Sequence, residues 1–276
     1  MSHWPSLSPS IYHRLSYASA YGLSDIGVAR KANQDNFLID TAIGLVAVAD
    51  GMGGQEGGEI ASHTALEALR SGIVRSLNEQ DADMRAAAPD PDATWQDPNG
   101  YAMLAVYSAV EFANTRVYAE NVGNDRIGGG GMGTTLTGFW RRQDAGPLIV
   151  FHVGDSRLYR LRAGELSILT RDQTLYQQAL EAGELDSLPA RNLLLQAIGP
   201  LDTVSPDVAV CECKPGDLLL LCSDGLHGDV PHSAIADALR RAGAQSLDRC
   251  CEELIALAKT HGSRDNITAL VVLIER

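Results

Sequence analysis

The sequence predicts an α+β protein in which two antiparallel β-sheets pack face to face with helical pairs outside, a four-layer α/β/β/α sandwich. Three observations predict it. Between Gly133 and Leu169, four strand-like runs are joined by turns too short for crossover helices, which implies antiparallel pairing. Segments of helical period occur in two pairs, 59–77 with 101–122 and 231–241 with 247–261. No linker divides the 276 residues, and 45% of them are hydrophobic, enough for a sizeable common core.

In chain order, residues 1–14 read as a flexible tail and 15–276 as a single domain. Strands are expected at Leu15–Ser24 and Asn36–Asp40, flanking the polar segment Asp25–Asn36. Leu45-Val-Ala-Val-Ala-Asp50 follows, a short apolar run that stops at Asp50-Gly51-Met52-Gly53-Gly54 and reads as a buried strand with its acid at the end. Ala61, Ala65, Leu66, Leu69, Ile73 and Leu77 recur at helical spacing, and His63 within this helix reads as structural. Asn78–Gly100, with three prolines and several acids, reads as a surface loop. Helical period resumes over Tyr101–Val122. Strands are then expected at Thr134–Trp140, Leu148–Val153, Arg157–Leu161 and Glu165–Leu169. An irregular polar segment, 171–199, holds a helical piece at Leu175–Ala182. Strands at Val204–Val210 and Asp217–Cys222, helices at Pro231–Arg241 and Leu247–His261, and a strand ending at Ile274 complete the chain.

Thirty-five acids against 22 bases give a formal charge of −13, which argues against a nucleic-acid surface and against anchoring on anionic lipid. The five cysteines, Cys211, Cys213, Cys222, Cys250 and Cys251, lack C-x-x-C spacing and read as reduced thiols. No signal peptide and no run of membrane-spanning length is evident, so a soluble, cytoplasmic protein is expected.

The chemistry is carried by aspartates at the mouths of core strands. Asp50, Asp155 in Leu148-Ile-Val-Phe-His-Val-Gly-Asp155, and Asp224 in Leu218-Leu-Leu-Leu-Cys-Ser-Asp224-Gly225 each follow an apolar strand, and Asp265 precedes one. One Asp-Gly pair is ordinarily a solvated turn. Four acids gathered in a partly desolvated cleft repel one another unless a cation compensates them, and an oxygen-only set suits Mg²⁺, Mn²⁺ or Ca²⁺. Neighbouring acids that share one carboxylate can hold two ions about 3.5 to 4 Å apart and activate the water between them. A phosphoryl substrate would also need a fixed cation, for which the planar fork of Arg30 is the best-placed candidate. Other chemistries lack their parts. Gly128-Gly-Gly-Gly-Met-Gly133-Thr134-Thr135 has no lysine and precedes a strand, unlike a nucleotide loop, and there is no H-E-x-x-H, no G-x-S-x-G and no activated cysteine.

The ordered series Arg30…Asn33-Gln34-Asp35, Asp50-Gly51-Met52-Gly53-Gly54, Gly131-Met132-Gly133-Thr134-Thr135, His152-Val153-Gly154-Asp155-Ser156-Arg157, Leu169-Thr170-Arg171-Asp172, Ser223-Asp224-Gly225-Leu226 and Arg264-Asp265-Asn266 resembles the metal-dependent serine/threonine protein phosphatases of type 2C in their compact bacterial form. The resemblance runs from about Leu15 to Ile274. It implies two Mn²⁺ or Mg²⁺ ions bridged by Asp50, with the Gly51 carbonyl on the second ion and Asp224 and Asp265 on the first. Asp35 would orient water on the second ion, and Asp155 with Asp224 would form a weaker third site. It implies that Arg30 holds the phosphate and that 171–199 is a flap beside the site.

Two departures stand out. Met52 replaces a histidine common in eukaryotic members and cannot donate a proton. Gln173 stands where a histidine commonly follows the aspartate Asp172. The expected function is hydrolysis of phosphoserine and phosphothreonine in proteins, through a water or hydroxide bridging the two ions, opposing a serine/threonine kinase, by a monomer. Alternatives are a phosphatase of a phosphorylated regulatory domain in a partner-switching pathway, a catalytically silent sensor on the same fold, and a structural Ca²⁺ site.

Overall fold

The computed structural model describes residues 7–54, 57–86, 98–124, 131–142, 146–184, 187–242 and 246–276, the side chains of 80–86 and 98 excepted. Two six-stranded sheets form, antiparallel throughout. The first runs β1 (His13–Arg14), β2 (Ala18–Asp25), β12 (Ile267–Ile274), β11 (Leu218–Cys222), β8 (Arg157–Arg162), β9 (Glu165–Ile168). The second runs β10 (Asp207–Cys211), β7 (Leu148–Val153), β6 (Leu136–Trp140), β4 (Leu45–Met52), β3 (Asp35–Asp40), with β5 (Gly133–Thr134) paired to the end of β4.

Side-chain alternation along the central strands explains the layers. In β4, Val46 and Val48 pack with Phe37, Phe139, Leu219, Leu221 and Leu270 between the sheets. Leu45, Ala47 and Ala49 face the other way, onto α1 (Gly57–Ala86) and α2 (Pro98–Gly123). In β11, Leu219 and Leu221 point between the sheets, while Leu218, Leu220 and Cys222 meet α5 (His232–Arg241) and α6 (Leu247–Thr260). The short helices α3 (Leu175–Ala182) and α4 (Asp224–His227) lie outside these pairs in the chain. The central strands are buried on both faces, so each sheet is covered by the other sheet on one side and by a helical pair on the other.

Several boundaries differ from the sequence reading. The expected loop 78–100 is helical at both ends, because α1 continues to Ala86 and α2 begins at Pro98; residues 87–97 lie outside the described residues. Residues 78–86 are polar but hold no proline or glycine, and Glu, Gln, Met, Arg and Ala sustain a helix whether or not its face is apolar. Pro98 at the first turn suits a helix start. The expected strand 134–140 is two pieces, since Thr135 between them is turned to the site. The strand expected at 204–210 sits at 207–211, and β4 does not stop at Asp50 but runs on to Met52. Of the expected tail, residues 1–6 lie outside the described residues. Leu7 N–H donates to Asn36 Oδ1 (3.1 Å), Ile39 N–H to Ser8 Oγ (2.8 Å), and β1 pairs with β2, so residues 7–14 are tied to the domain. Gly128–Gly130 also lie outside the described residues. Among those described, no helix is long and apolar enough to cross a membrane.

Candidate active site

Strand register brings the acids together. Asp35, at the start of β3, is the cross-strand partner of Asp50 in β4. Like charges directly opposite on paired strands are unfavourable, so this register needs a compensating cation or a proton. Asp35 is anchored from the other sheet, its Oδ2 accepting from Ser223 Oγ and Thr268 Oγ1, both at 2.7 Å. Its buried Oδ1 has no hydrogen-bond partner, and neither does Oδ1 of Asp224.

The backbone of Asp50 is fixed by the Gly-Thr-Thr segment. Asp50 N–H donates to Thr135 Oγ1, and Asp50 C=O accepts from Thr134 Oγ1 and from Thr135 N–H, all at 2.9 Å. Thr135 Oγ1 in turn pairs with Ser156 Oγ at 2.8 Å. Gly51 is required next to it by close approach: a Cβ there would lie 2.0 Å from Gly58 C=O in α1 and 2.5 Å from Gln34 C=O. Asp224 opens α4 directly after β11, and Asp265 stands two residues before β12. Asn266 clamps the loop that carries Arg30. It accepts from Gln34 N–H at 2.9 Å and donates to Ile26 C=O and Ala32 C=O, each at 2.9 Å.

The result is a cleft of about 220 Å³ lined by Arg30, Gln34, Asp50, Gly51, Met52, Gly53, Thr135, Asp155, Asn192, Leu194, Asp224 and Asp265. Asp50, Asp155, Asp224, Asp265, Gly51 and Arg30 therefore share one opening, and Asp35 lies behind Asp50, 6% exposed. Larger hollows beside Asp40 and Arg70 and beside Glu165 and His232 lack such a convergence of acids.

Burial and mutual repulsion set the electrostatics. Burial, then Asp35 and Asp224, hold the Asp50 carboxyl well above the usual range. Burial, chiefly, also raises Asp35, opposed by its two hydroxyl donors. Asp224 is raised by burial and by Asp265, and Asp155 is pushed up to about 7 by burial, Asp224 and Asp172. Such shifts record an excess of negative charge with too little compensation. Arg30 is the counter-charge within the cleft, its Nη2 donating to Asp265 Oδ2 at 2.6 Å.

The residues fit divalent cations. The donors are all oxygen, two of the acids carry buried carboxylate oxygens without a donor, and the excess charge is negative. Among the described residues, no three His, Cys, Asp or Glu side chains already close on one point. The acids line an opening rather than a cage, which suits hard ions that keep several of their own waters.

Sequence reasoning missed Asn192 and Leu194, which reach the cleft from the irregular segment, and the clamp made by Asn266. Asn266 had a legible signal, its place directly after Asp265; Asn192 and Leu194 had none.

The sequence profile described as protein phosphatase 2C matches residues 28–257. The chain belongs to the protein phosphatase 2C family. It is 33% identical over 253 residues to the serine/threonine protein phosphatase PstP of Mycobacterium tuberculosis, covering 90% of this chain and 43% of that protein, so it spans less than half the length of that relative. It is 32% identical over 259 residues to the serine/threonine phosphatase stp of Listeria welshimeri, covering 90% of this chain and 93% of that one. A crystal structure of the Mycobacterium tuberculosis serine/threonine phosphatase PstP/Ppp superposes with a TM-score of 0.76 at 32% identity, covering 94% of this chain and 100% of the other. The catalytic domain of PstP in complex with two manganese ions superposes at 0.72 with 30% identity, covering 94% and 99%. This type 2C chain thus shares its two-sheet sandwich with them, and the profile match stops before Asp265, which the fold nonetheless brings to the cleft.

Proposed function

We propose that this chain is a metal-dependent phosphoprotein phosphatase that hydrolyses phosphoserine and phosphothreonine, with Mn²⁺ or Mg²⁺ as its ions. The observation that carries the reading is the single cleft in which Asp50, Asp224 and Asp265 meet beside Arg30. Asp50, the Gly51 carbonyl, Asp224 and Asp265 would hold two ions, Asp35 supporting the second, and Asp155 with Asp224 a weaker third. Bound there, the ions supply positive charge against the acids and the phosphoryl oxygens and acidify water for attack on phosphorus.

The protein's own residues do the rest. Arg30, half exposed at the cleft, presents a planar fork to the outer phosphoryl oxygens. The Asp35–Asp50 register holds the shared carboxylate rigidly, and the two threonines at 134 and 135 stop its backbone from shifting. Asn192 and Leu194 form a wall that a phosphopeptide must pass. Met52 lines the same opening and has no proton to give, so the leaving alkoxide takes its proton from another donor in the cleft or from solvent.

The domain is 15–276 together with the tied segment 7–14, has a flap at about 171–199, and acts as a monomer in the cytoplasm on phosphorylated proteins made by a serine/threonine kinase. Full presence of the acids supports the enzyme over a silent sensor. The test is phosphate release from phosphoserine and phosphothreonine peptides: activity with Mn²⁺ that EDTA abolishes is expected. Release that persists in EDTA, or none with any divalent ion, would overturn the reading.

A further inference from the structure

Gln173 is 4% exposed and uses both its backbone and its side chain to join three parts of the molecule. Its Oε1 accepts from Gly154 N–H at 2.9 Å, while its own N–H donates to Gly154 C=O at 2.8 Å. Its Nε2 donates to Asp207 Oδ2 at 3.0 Å and reaches His152 C=O at 3.5 Å. Its C=O accepts from Leu195 N–H at 2.7 Å. Beyond it, Thr174 bridges to Leu194 and Leu175 N–H donates to Leu193 C=O at 2.9 Å, so 173–175 and 193–195 run as a short antiparallel pair. Before it, Asp172 takes both arms of the Arg157 fork, at 2.8 and 2.7 Å.

Both ends of this clasp lead into the cleft. Gly154 has φ +104, and a Cβ there would lie 2.7 Å from Thr135 Cγ2, so the turn that presents Asp155 is pinned against the threonine that holds Asp50. Leu194, bridged to Thr174, lines the cleft with Asn192. The orientation of the amide is fixed by its neighbours, because Gly154 N–H requires an acceptor and the Asp207 carboxylate a donor. A carboxylate in its place would oppose Asp207, and an apolar side chain would leave Gly154 N–H buried without a partner.

We infer that Gln173 is a positioning residue, a clasp that holds the Asp155 turn and the flap wall of Asn192 and Leu194 in one fixed relation. This rests on the phosphatase reading for its kinetic consequences but not for its structural ones. With the clasp intact, Asp155 and the peptide-facing wall keep one geometry. With it broken, Asp35, held by Ser223 and Thr268, and Asp50, whose backbone is held by Thr134 and Thr135, stay in place while the flap side loosens.

The test is Gln173→Glu, nearly the same shape, in the full chain. Hydrogen exchange over 187–195 is expected to quicken. By calorimetric Mn²⁺ titration, the weakest site should lose affinity by about tenfold or more, the usual range for groups that orient a ligand, with the tighter sites little changed. KM for a phosphopeptide should rise more than KM for p-nitrophenyl phosphate. Gln173→His, which can offer one acceptor and one donor, should recover part of each effect. Leu195→Pro, which removes the N–H donated to Gln173 C=O and also restricts the backbone of Leu194, acts on the flap side of the clasp alone; it should quicken exchange and raise peptide KM while sparing the weak site, and it serves if Gln173→Glu does not fold. Lower melting temperature with exchange, metal titration and the KM ratio unchanged would reduce Gln173 to a structural residue and overturn the inference. Absence of phosphatase activity in the parent chain would sink the functional reading alone, since exchange and titration would still report on the clasp.

Discussion

Arg30 and Asp265, 235 residues apart in sequence, are joined by a hydrogen-bonded ion pair of 2.6 Å in which the guanidinium donates to Oδ2. The pair links the group expected to hold phosphate to an acid expected to hold metal. Both side chains are well exposed, 50% and 34%, so water screens the pair and its worth is under about 1 kcal/mol. A divalent ion held at Asp265 would therefore have little to overcome in taking Arg30's place, and the Arg30 fork would be left for the phosphoryl oxygens. Arg30→Ala should leave Mn²⁺ affinity within about fivefold of the parent, in either direction. It should raise KM for phosphopeptides roughly 10- to 100-fold, the equivalent of a lost charge-assisted hydrogen bond. Steady-state kinetics beside a metal titration measures both, and an unaltered KM would remove Arg30 from the phosphate site.

Asp50→Asn separates chemistry from stability. Asp50 faces Asp35 across the strand pair and is repelled by Asp35, Asp224, Asp155 and Asp265, so its charge opposes the metal-free fold. Asparagine keeps the shape and removes that repulsion. With EDTA present, the variant should melt at the same temperature as the parent or higher. Activity should fall by roughly a thousandfold or more if Asp50 is the carboxylate proposed to be shared by the two ions. A variant that retained parental turnover with Mn²⁺ would show that Asp50 does not bridge.

Much of this was legible because burial writes itself into β-strand sequences. Leu45–Ala49 and Leu218–Cys222 read as strands because both faces are apolar, and the acid ending each run marked the rim of the sandwich. Boundaries failed where the local pattern did not carry the cause. Helix α1 past Leu77 has no apolar stripe to announce it, and Thr135 interrupts a strand in order to hold Asp50. The cleft walls at Asn192 and Leu194 follow from pairing with Thr174, Leu175 and Gln173, a contact between two irregular segments that neither period nor propensity encodes.

Gly51 tests the junction of β4 and α1. A methyl group at this position would meet Gly58 C=O at 2.0 Å, with Gln34 C=O 2.5 Å away on the neighbouring loop. All of these are backbone atoms, which cannot swing aside as a side chain would. Gly51→Ala should therefore destabilise the protein by about 1 to 3 kcal/mol or more and shift Asp50 and its carbonyl neighbour together. Loss of Mn²⁺ binding together with a lowered melting temperature is expected. Parental stability would mean that α1 can slide on β4, and the fixed geometry of the shared acid would have to come from elsewhere.

The acids also predict how pH governs the metal-free protein. Burial and neighbouring charge push Asp155 up to about 7, and Asp50 and Asp224 are raised as well, whereas an unfolded aspartate titrates near about 3.9. Between those limits the native state binds protons that the unfolded state does not, so stability falls as pH rises. For Asp155 the stabilisation is complete below about pH 4 and is lost as pH climbs through about 7; Asp50 and Asp224, raised as well, act in the same direction. Divalent ions bound at these acids would replace those protons, and their binding would release them. In EDTA, the contribution of these acids should lower the melting temperature at pH 8 relative to pH 5.5. The rise produced by saturating Mn²⁺ should be larger at pH 8, where fewer protons compete, and calorimetry in buffers of different ionisation enthalpy should count the protons released at pH 6. At a hundred times its dissociation constant an ion adds about 2.7 kcal/mol, a shift of several degrees for a chain of this size. An equal Mn²⁺ effect at both pH values, with no proton release, would show that the carboxylates are already charged without metal and that some other cation offsets them.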